Sequence, residues 1–137
     1  MSVELKGLDE VLNSLGELAD TANLEEALGK ACAIVEASAK KKAPKDSGDL
    51  RRSITSKVEN NEGVVYTPLF YAPYVEYGTG LFAESGGRTD VPWNYQDDKG
   101  NWHSTSGMKP QPFMRPALYE NREEILRILK EGLTNND

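Results

Sequence analysis

The segment Lys40-Lys-Lys-Ala-Pro-Lys-Asp-Ser-Gly-Asp-Leu50 separates two different hydrophobic periods and so commits the chain to a mixed fold. Before it, Leu24, Ala27, Leu28, Ala31, Ile34, Val35 and Ser38 recur at three- and four-residue steps, which predicts a helix from about Leu24 to Lys42. Asn23 is a suitable N-cap for it, with Glu26 three residues on. Four alanines between 31 and 39 make the buried stripe thin, so a partner has to approach closely. Pro44 ends the helix, because it lacks an N–H and its ring opposes another turn. From Leu50 the period becomes two, with Ile54, Ser56 and Val58 alternating against Ser53, Thr55 and Lys57.

The other elements follow from the same two periods. Leu8, Val11, Leu12, Leu15 and Leu18 place a first helix over about Gly7 to Asp20. Glu59-Asn-Asn-Glu-Gly63 is a hairpin signal, with Val64 to Thr67 as the return strand. Tyr71 to Tyr77 reads as a further strand ending at Gly78-Thr-Gly80, with Pro73 arguing for an edge position. Residues 81–107 form a polar excursion. Within it Asp97-Asp-Lys-Gly100 is a four-residue turn that sets Tyr95 nearly opposite Trp102. Pro116 opens a last helix whose apolar side holds Ala117, Leu118, Asn121, Ile125, Leu126, Ile128 and Leu129. The expected fold is α+β: two N-terminal helices, a three- to four-stranded antiparallel sheet, a protruding β-hairpin, and a C-terminal helix on the sheet. Residues 1–137 read as a single domain.

Charge and composition narrow the function. The net charge is −6, with −6 on residues 1–39, +4 on residues 40–52 and −4 on residues 53–137. Such an acidic chain is a poor general nucleic-acid binder, since that affinity comes mainly from neutralised phosphates. Lys40, Lys41, Lys42, Lys45, Arg51 and Arg52 are the candidate contacts to a polyanion. The competing reading is that Lys40 to Lys42 complement the negative end of a helix dipole. No apolar run approaches the about 20 residues that cross a bilayer, and the N-terminus lacks the pattern of a signal peptide. Cys32 stands alone, which excludes an internal disulfide and points to a packed small side chain.

No catalytic constellation emerges. His103 is the only histidine, and no nucleophile elbow, zinc helix or phosphate loop is present. Gly78-Thr-Gly80 lacks a third glycine and a helix opening directly behind it, as phosphate binding would require. Asp97 and Asp98 with Glu84 and Asp90 lack the order of a calcium loop and read as a solvated turn. A hydrolase built on Asp97, Asp98 and His103 would hang on one histidine in a hairpin flank. No cofactor and no metal are expected.

Three segments, in order, resemble one known family. Ala43-Pro-Lys-Asp-Ser-Gly-Asp-Leu-Arg-Arg-Ser-Ile54 is similar to its "APxxTGxLrxSI" signature, with Ser47 in place of threonine. Tyr71 to Gly80 is similar to "YAxyVEyGT", and Lys109 to Leu118 to "xxPFmrPAl". The family is that of head–tail joining and tail-completion proteins of long-tailed phages and prophages, the HK-ninety-seven-type minor tail component. The resemblance implies a non-enzymatic virion protein, made in the bacterial cytoplasm. It would form a ring, a hexamer by tail symmetry, at the neck or the top of the tail tube. Its implied partners are copies of itself, other neck and tail proteins and, in passing, genomic DNA; a tail-terminator role is the near alternative. Tyr74, Glu76, Tyr77 and Arg115 are the candidate subunit-interface residues, by residue type. Trp93, Tyr95 and Trp102 are the candidate contacts of the hairpin with a partner. Tyr71, Val75 and Phe113 read as core.

Overall fold

A nineteen-residue helix, α1 (Leu24–Lys42), is the element around which the larger part of the chain is built. Glu25 and Glu26 in its first turn and Lys40 to Lys42 in its last suit the two ends of the helix dipole. It stops two residues before Pro44. The computed structural model describes residues 1–5, 24–45, 48–60 and 62–134, which group into two compact units: residues 1–69 with 113–137, and residues 70–112. The expected first helix (Gly7 to Asp20) and the Asn23 cap lie outside the described residues.

In the first unit, β1 (Ser2–Leu5), β2 (Thr55–Glu59) and β3 (Glu62–Tyr66) form an antiparallel sheet in the order β1-β3-β2. A short helix, α2 (Asp49–Ser53), stands between α1 and β2, where the sequence pattern promises strand already from Leu50. Glu59 pairs with Glu62, and Asn60 adopts φ +52°, a left-handed conformation that asparagine tolerates better than most residues. The registers Val3↔Val65, Leu5↔Gly63, Ser56↔Val65 and Val58↔Gly63 put these six residues on one face. The third strand is therefore Ser2–Leu5, not Tyr71–Tyr77. The latter is helical and belongs to the second unit.

α1 lies against β2 and β3 on one side and against two closing helices, α4 (Met114–Tyr119) and α5 (Arg122–Thr134), on another. Its buried residues are Leu24, Ala27, Leu28, Ala31, Cys32, Val35 and Ala39, while Ala33 and Ala37 face outward. The thin stripe has the close partner it calls for. A Cβ on Gly63 would fall 2.6 Å from Cys32 Sγ, and 3.4 and 3.5 Å from the methyl groups of Leu5 and Leu28. Helix and strand touch there because neither contributes bulk.

The closing segment is two helices rather than one, divided at Glu120-Asn121. Asn121 Nδ2 donates to the Ala117 carbonyl (2.7 Å), and the Asn121 carbonyl accepts the first bond of the next helix from Ile125 N–H (2.9 Å). Phe113, Met114, Ala117, Ile125 and Leu129 are buried. The main partner of α5 is α1 rather than the sheet itself. Thr67, also buried, ties the sheet to its surroundings: its hydroxyl pairs with Ser53 Oγ (2.7 Å), and its N–H donates to the Met1 carbonyl (3.0 Å).

Burial pushes the Cys32 thiol up to about 11, with Glu36 adding to the effect. Cys32 should accordingly resist thiol reagents at pH 8 until the protein unfolds. Gly63→Ala should cost about 1–3 kcal/mol by overpacking. In a Cys32→Ala background the same change should cost markedly less, a coupling that denaturant melts of the four proteins would measure.

Candidate interaction surface

The second unit holds eight of the chain's eleven aromatic residues in its 43 positions. Its helix α3 (Ala72–Tyr77) buries Ala72, Val75 and Glu76, the i, i+3, i+4 set of a helical face. Tyr74 and Tyr77 point away from that face and are exposed, as is Phe70 just before the helix, at 83%. Pro73 sits in the first turn, where its missing N–H costs nothing. The alternation that reads as a strand is thus an amphipathic helical turn with its aromatic side outward. Leu81 and Phe82, in a short 3₁₀ turn (Gly80–Phe82), extend the exposed surface.

The Gly78-Thr-Gly80 stretch holds this unit together. Thr79 N–H donates to the Met108 carbonyl (2.9 Å), and Met108 N–H donates to Thr79 Oγ1 (2.9 Å). Leu81 N–H donates to Ser106 O (3.0 Å), and Gln111 N–H to Val75 O (2.8 Å). The two backbones approach so closely that a Cβ on Gly80 would lie 2.3 Å from Ser106 O, and one on Gly107 2.2 Å from Thr79 O. Both residues have positive φ, +61° and +123°. This is a backbone clamp, and it fixes α3 beside residues 108–111.

Beyond the clamp, β4 (Trp93–Gln96) and β5 (Trp102–Thr105) make the expected hairpin as a separate two-stranded sheet. Its register differs by one residue from expectation: Tyr95 faces His103, and Gln96 faces Trp102. The cause is Asp97, which joins the ladder through its N–H to Asn101 O (2.9 Å), so three residues rather than four make the loop. Its carboxylate accepts from the N–H groups of Lys99 (2.9 Å) and Asn101 (2.8 Å), and Gly100 takes the left-handed position at φ +84°. His103 Nε2 lies 2.7 Å from Asp97 Oδ2. An ionised carboxylate only accepts, so that nitrogen carries the proton. Tyr95 stacks on the His103 ring, with centroids 5.2 Å apart. At the base, Arg88 pairs with Asp90 (2.8 Å) and lies over the Trp93 ring (4.8 Å).

The sequence-derived candidates are distributed as follows. Tyr74, Tyr77, Tyr95 and Trp102 are exposed, and Trp93 is half-buried beneath Arg88. Glu76 is fully buried on the inner side of α3, which takes it off the surface. Arg115 is half-buried in α4, in the first unit. Val75 and Phe113 are buried and Tyr71 is half-buried. Sequence reasoning passed over Phe70, Leu81 and Phe82; helical spacing of Phe70, Tyr74 and Tyr77 is the signal that finds the first of them.

Three of the six cations of the basic segment are engaged by their own chain. Lys42 is paired with Glu120, and Arg52 with Asp49. Arg51 reaches the Ala43 carbonyl at 3.4 Å. Lys40 and Lys42 are half-buried, while Lys41 and Lys45 are exposed. Among the described residues no group of three or more His, Cys, Asp or Glu side chains could hold a metal ion, and no helix is long and apolar enough to cross a membrane.

The α+β chain thus gathers most of its aromatic residues in one unit and leaves most of those exposed. Residues 6–78 match the family described as "Bacteriophage HK97-gp10, putative tail-component". That is more than half of the sequence, and the chain belongs to this bacteriophage tail-component family. No curated protein and no solved structure matches it. The matched stretch ends at Gly78, so the clamp and hairpin lie beyond it.

Two outcomes are expected of this unit. Gly80→Ala should cost well over the about 1–2 kcal/mol of left-handed strain alone, because its Cβ also strikes a carbonyl. Gly86→Ala, at φ +79° but in open space, should cost only that strain; thermal melts and exchange of the Leu81 amide would compare them. The hydrogen bond from His103, then those from Asn101 and Lys99, hold the Asp97 carboxyl below its ordinary value of 3.8. A depressed carboxylate stabilises fully above the ordinary value and loses that contribution as pH falls through its folded value. The hairpin should therefore keep its amide shifts at Lys99 and Asn101 down to about pH 4 and lose them in stronger acid, as an NMR titration would show.

Proposed function

We propose that this chain is a non-enzymatic structural subunit of the phage head–tail connector or tail-completion region, which acts by ring assembly and docking between tail tube and neck. The observation that carries the reading is the placement of exposed apolar side chains. Of the eight large ones among the described residues, seven (Phe70, Tyr74, Tyr77, Leu81, Phe82, Tyr95 and Trp102) lie in residues 70–112. An exposed apolar concentration of this kind marks a contact site, and aromatic residues are enriched at the cores of protein interfaces. Family membership supplies the setting, the virion tail. A ring needs two different surfaces that meet head to tail and close.

A DNA-contacting role for residues 40–52 is the less favoured reading. Lys42 and Arg52 already have carboxylate partners, and a cation held by its own chain releases fewer counterions on meeting phosphate.

Deleting the gene from its phage should leave heads and tails unjoined, and the wild-type gene should restore infectious particles. A Tyr74→Ser/Tyr77→Ser variant that keeps its fold by circular dichroism should lower the restored titre by about tenfold or more, as truncation of interface anchors does. Normal, joined, infectious particles in the absence of the gene would refute the assignment.

A further inference from the structure

The register of the β4–β5 hairpin decides which of its residues share a face. Trp93 and Tyr95 lie on one face with their partners Thr105 and His103. Asn94, Gln96, Trp102 and Ser104 lie on the other, and all four are exposed. Trp102 is thus kept apart from Trp93 and Tyr95 and stands among uncharged polar side chains. A one-residue slip in pairing turns one strand over relative to the other. With Asp97 to Gly100 as a four-residue loop, Tyr95 would face Trp102 and Trp93 would face Ser104. The three large rings would then share one side. β5 runs directly into the clamp, where Leu81 N–H donates to Ser106 O (3.0 Å) and Met108 N–H to Thr79 Oγ1 (2.9 Å), so β4 is the strand that would slip.

Two effects oppose each other in this choice. A cross-strand pair of Tyr95 with Trp102 favours the four-residue loop. Against it stands the bond between His103 Nε2 and Asp97 Oδ2 (2.7 Å), together with the stack of Tyr95 on the His103 ring (5.2 Å). Both need His103 on the side of Tyr95 and Asp97. In the slipped register His103 would face Asn94 and point to the other side, so both contacts are specific to the observed pairing. The caps from Lys99 and Asn101 N–H to Asp97 Oδ1 are local to the loop and discriminate less. A hydrogen bond to an ionised carboxylate is about twice as strong as a neutral one, which places most of the choice on Asp97 and His103.

We propose that the Asp97–His103 bond is a register lock, which makes these two residues the positioning residues for what the hairpin exposes. With the bond in place, Trp102 is presented alone beside Asn94, Gln96 and Ser104; without it, Trp93, Tyr95 and Trp102 come together. The lock belongs to the hairpin itself and does not depend on the assembly reading.

NMR of the full chain in mildly alkaline buffer tests it. The wild type should show ring contacts between Tyr95 and His103 and none between Tyr95 and Trp102. Asp97→Ala should exchange the first set for the second. Asp97→Asn should keep the wild-type set, because its Oδ1 retains the caps while its Nδ2 donates to His103 Nε2. The imidazole proton must then move from Nε2 to Nδ1, a change that the ring 15N shifts report and that a merely structural loop residue would not produce. Persistence of the Tyr95–His103 contacts in Asp97→Ala, or loss of all cross-strand contacts there, would overturn the lock. So would a slipped register or an unmoved imidazole proton in Asp97→Asn.

Discussion

The larger unit depends on one close approach, that of α1 to β3 at Cys32 and Gly63. A helix face of Ala27, Ala31, Cys32 and Ala39 buries little area per residue, and apolar burial contributes roughly in proportion to area. Such a face contributes only if the partner comes near enough for dispersion contacts to form around it. The missing side chain at Gly63 permits that approach. On its other side α1 packs against α4 and α5, and α4 also touches β1, so the sheet and the closing helices are joined mainly through α1.

The second unit solves the same problem without a hydrophobic layer. Its cohesion comes from backbone on backbone, at Thr79-Gly80 against Ser106 to Met108, with glycines where any Cβ would collide. That economy releases its aromatic residues from core duty. Phe70, Tyr74, Tyr77, Tyr95 and Trp102 remain outside. A concentration of exposed apolar side chains of this kind is a feature of surfaces that meet other molecules.

The sequence was most legible where one period runs unbroken. The stripe from Leu24 to Val35, the stop at Pro44 and the alternation of Ile54, Ser56 and Val58 appear in the structure much as the pattern implies. It misled where a segment satisfies both periods. In Tyr71 to Tyr77, apolar residues alternate, yet Ala72, Val75 and Glu76 also fall on one helical face, and a glutamate on the buried side hides that face from a hydropathy reading. Four-residue β1 alternates correctly with Val3 and Leu5 inward, but it is too short to stand out. The hairpin was found with its register off by one, because whether Asp97 joins the ladder depends on its carboxylate capping Lys99 and Asn101. The clamp was invisible, since the contact of Gly80 with Ser106-Gly107 joins backbones far apart in sequence.

We propose that residues 70–112 present the assembly surface through their exposed aromatic side chains. Hydroxyl-radical footprinting of the isolated subunit against intact virions tests it most directly. Phe70, Tyr74, Tyr77 and Trp102 should be readily oxidised in the free chain and protected in the particle. Protection confined to Lys40 to Arg52, with the aromatic residues equally reactive in both states, would contradict it.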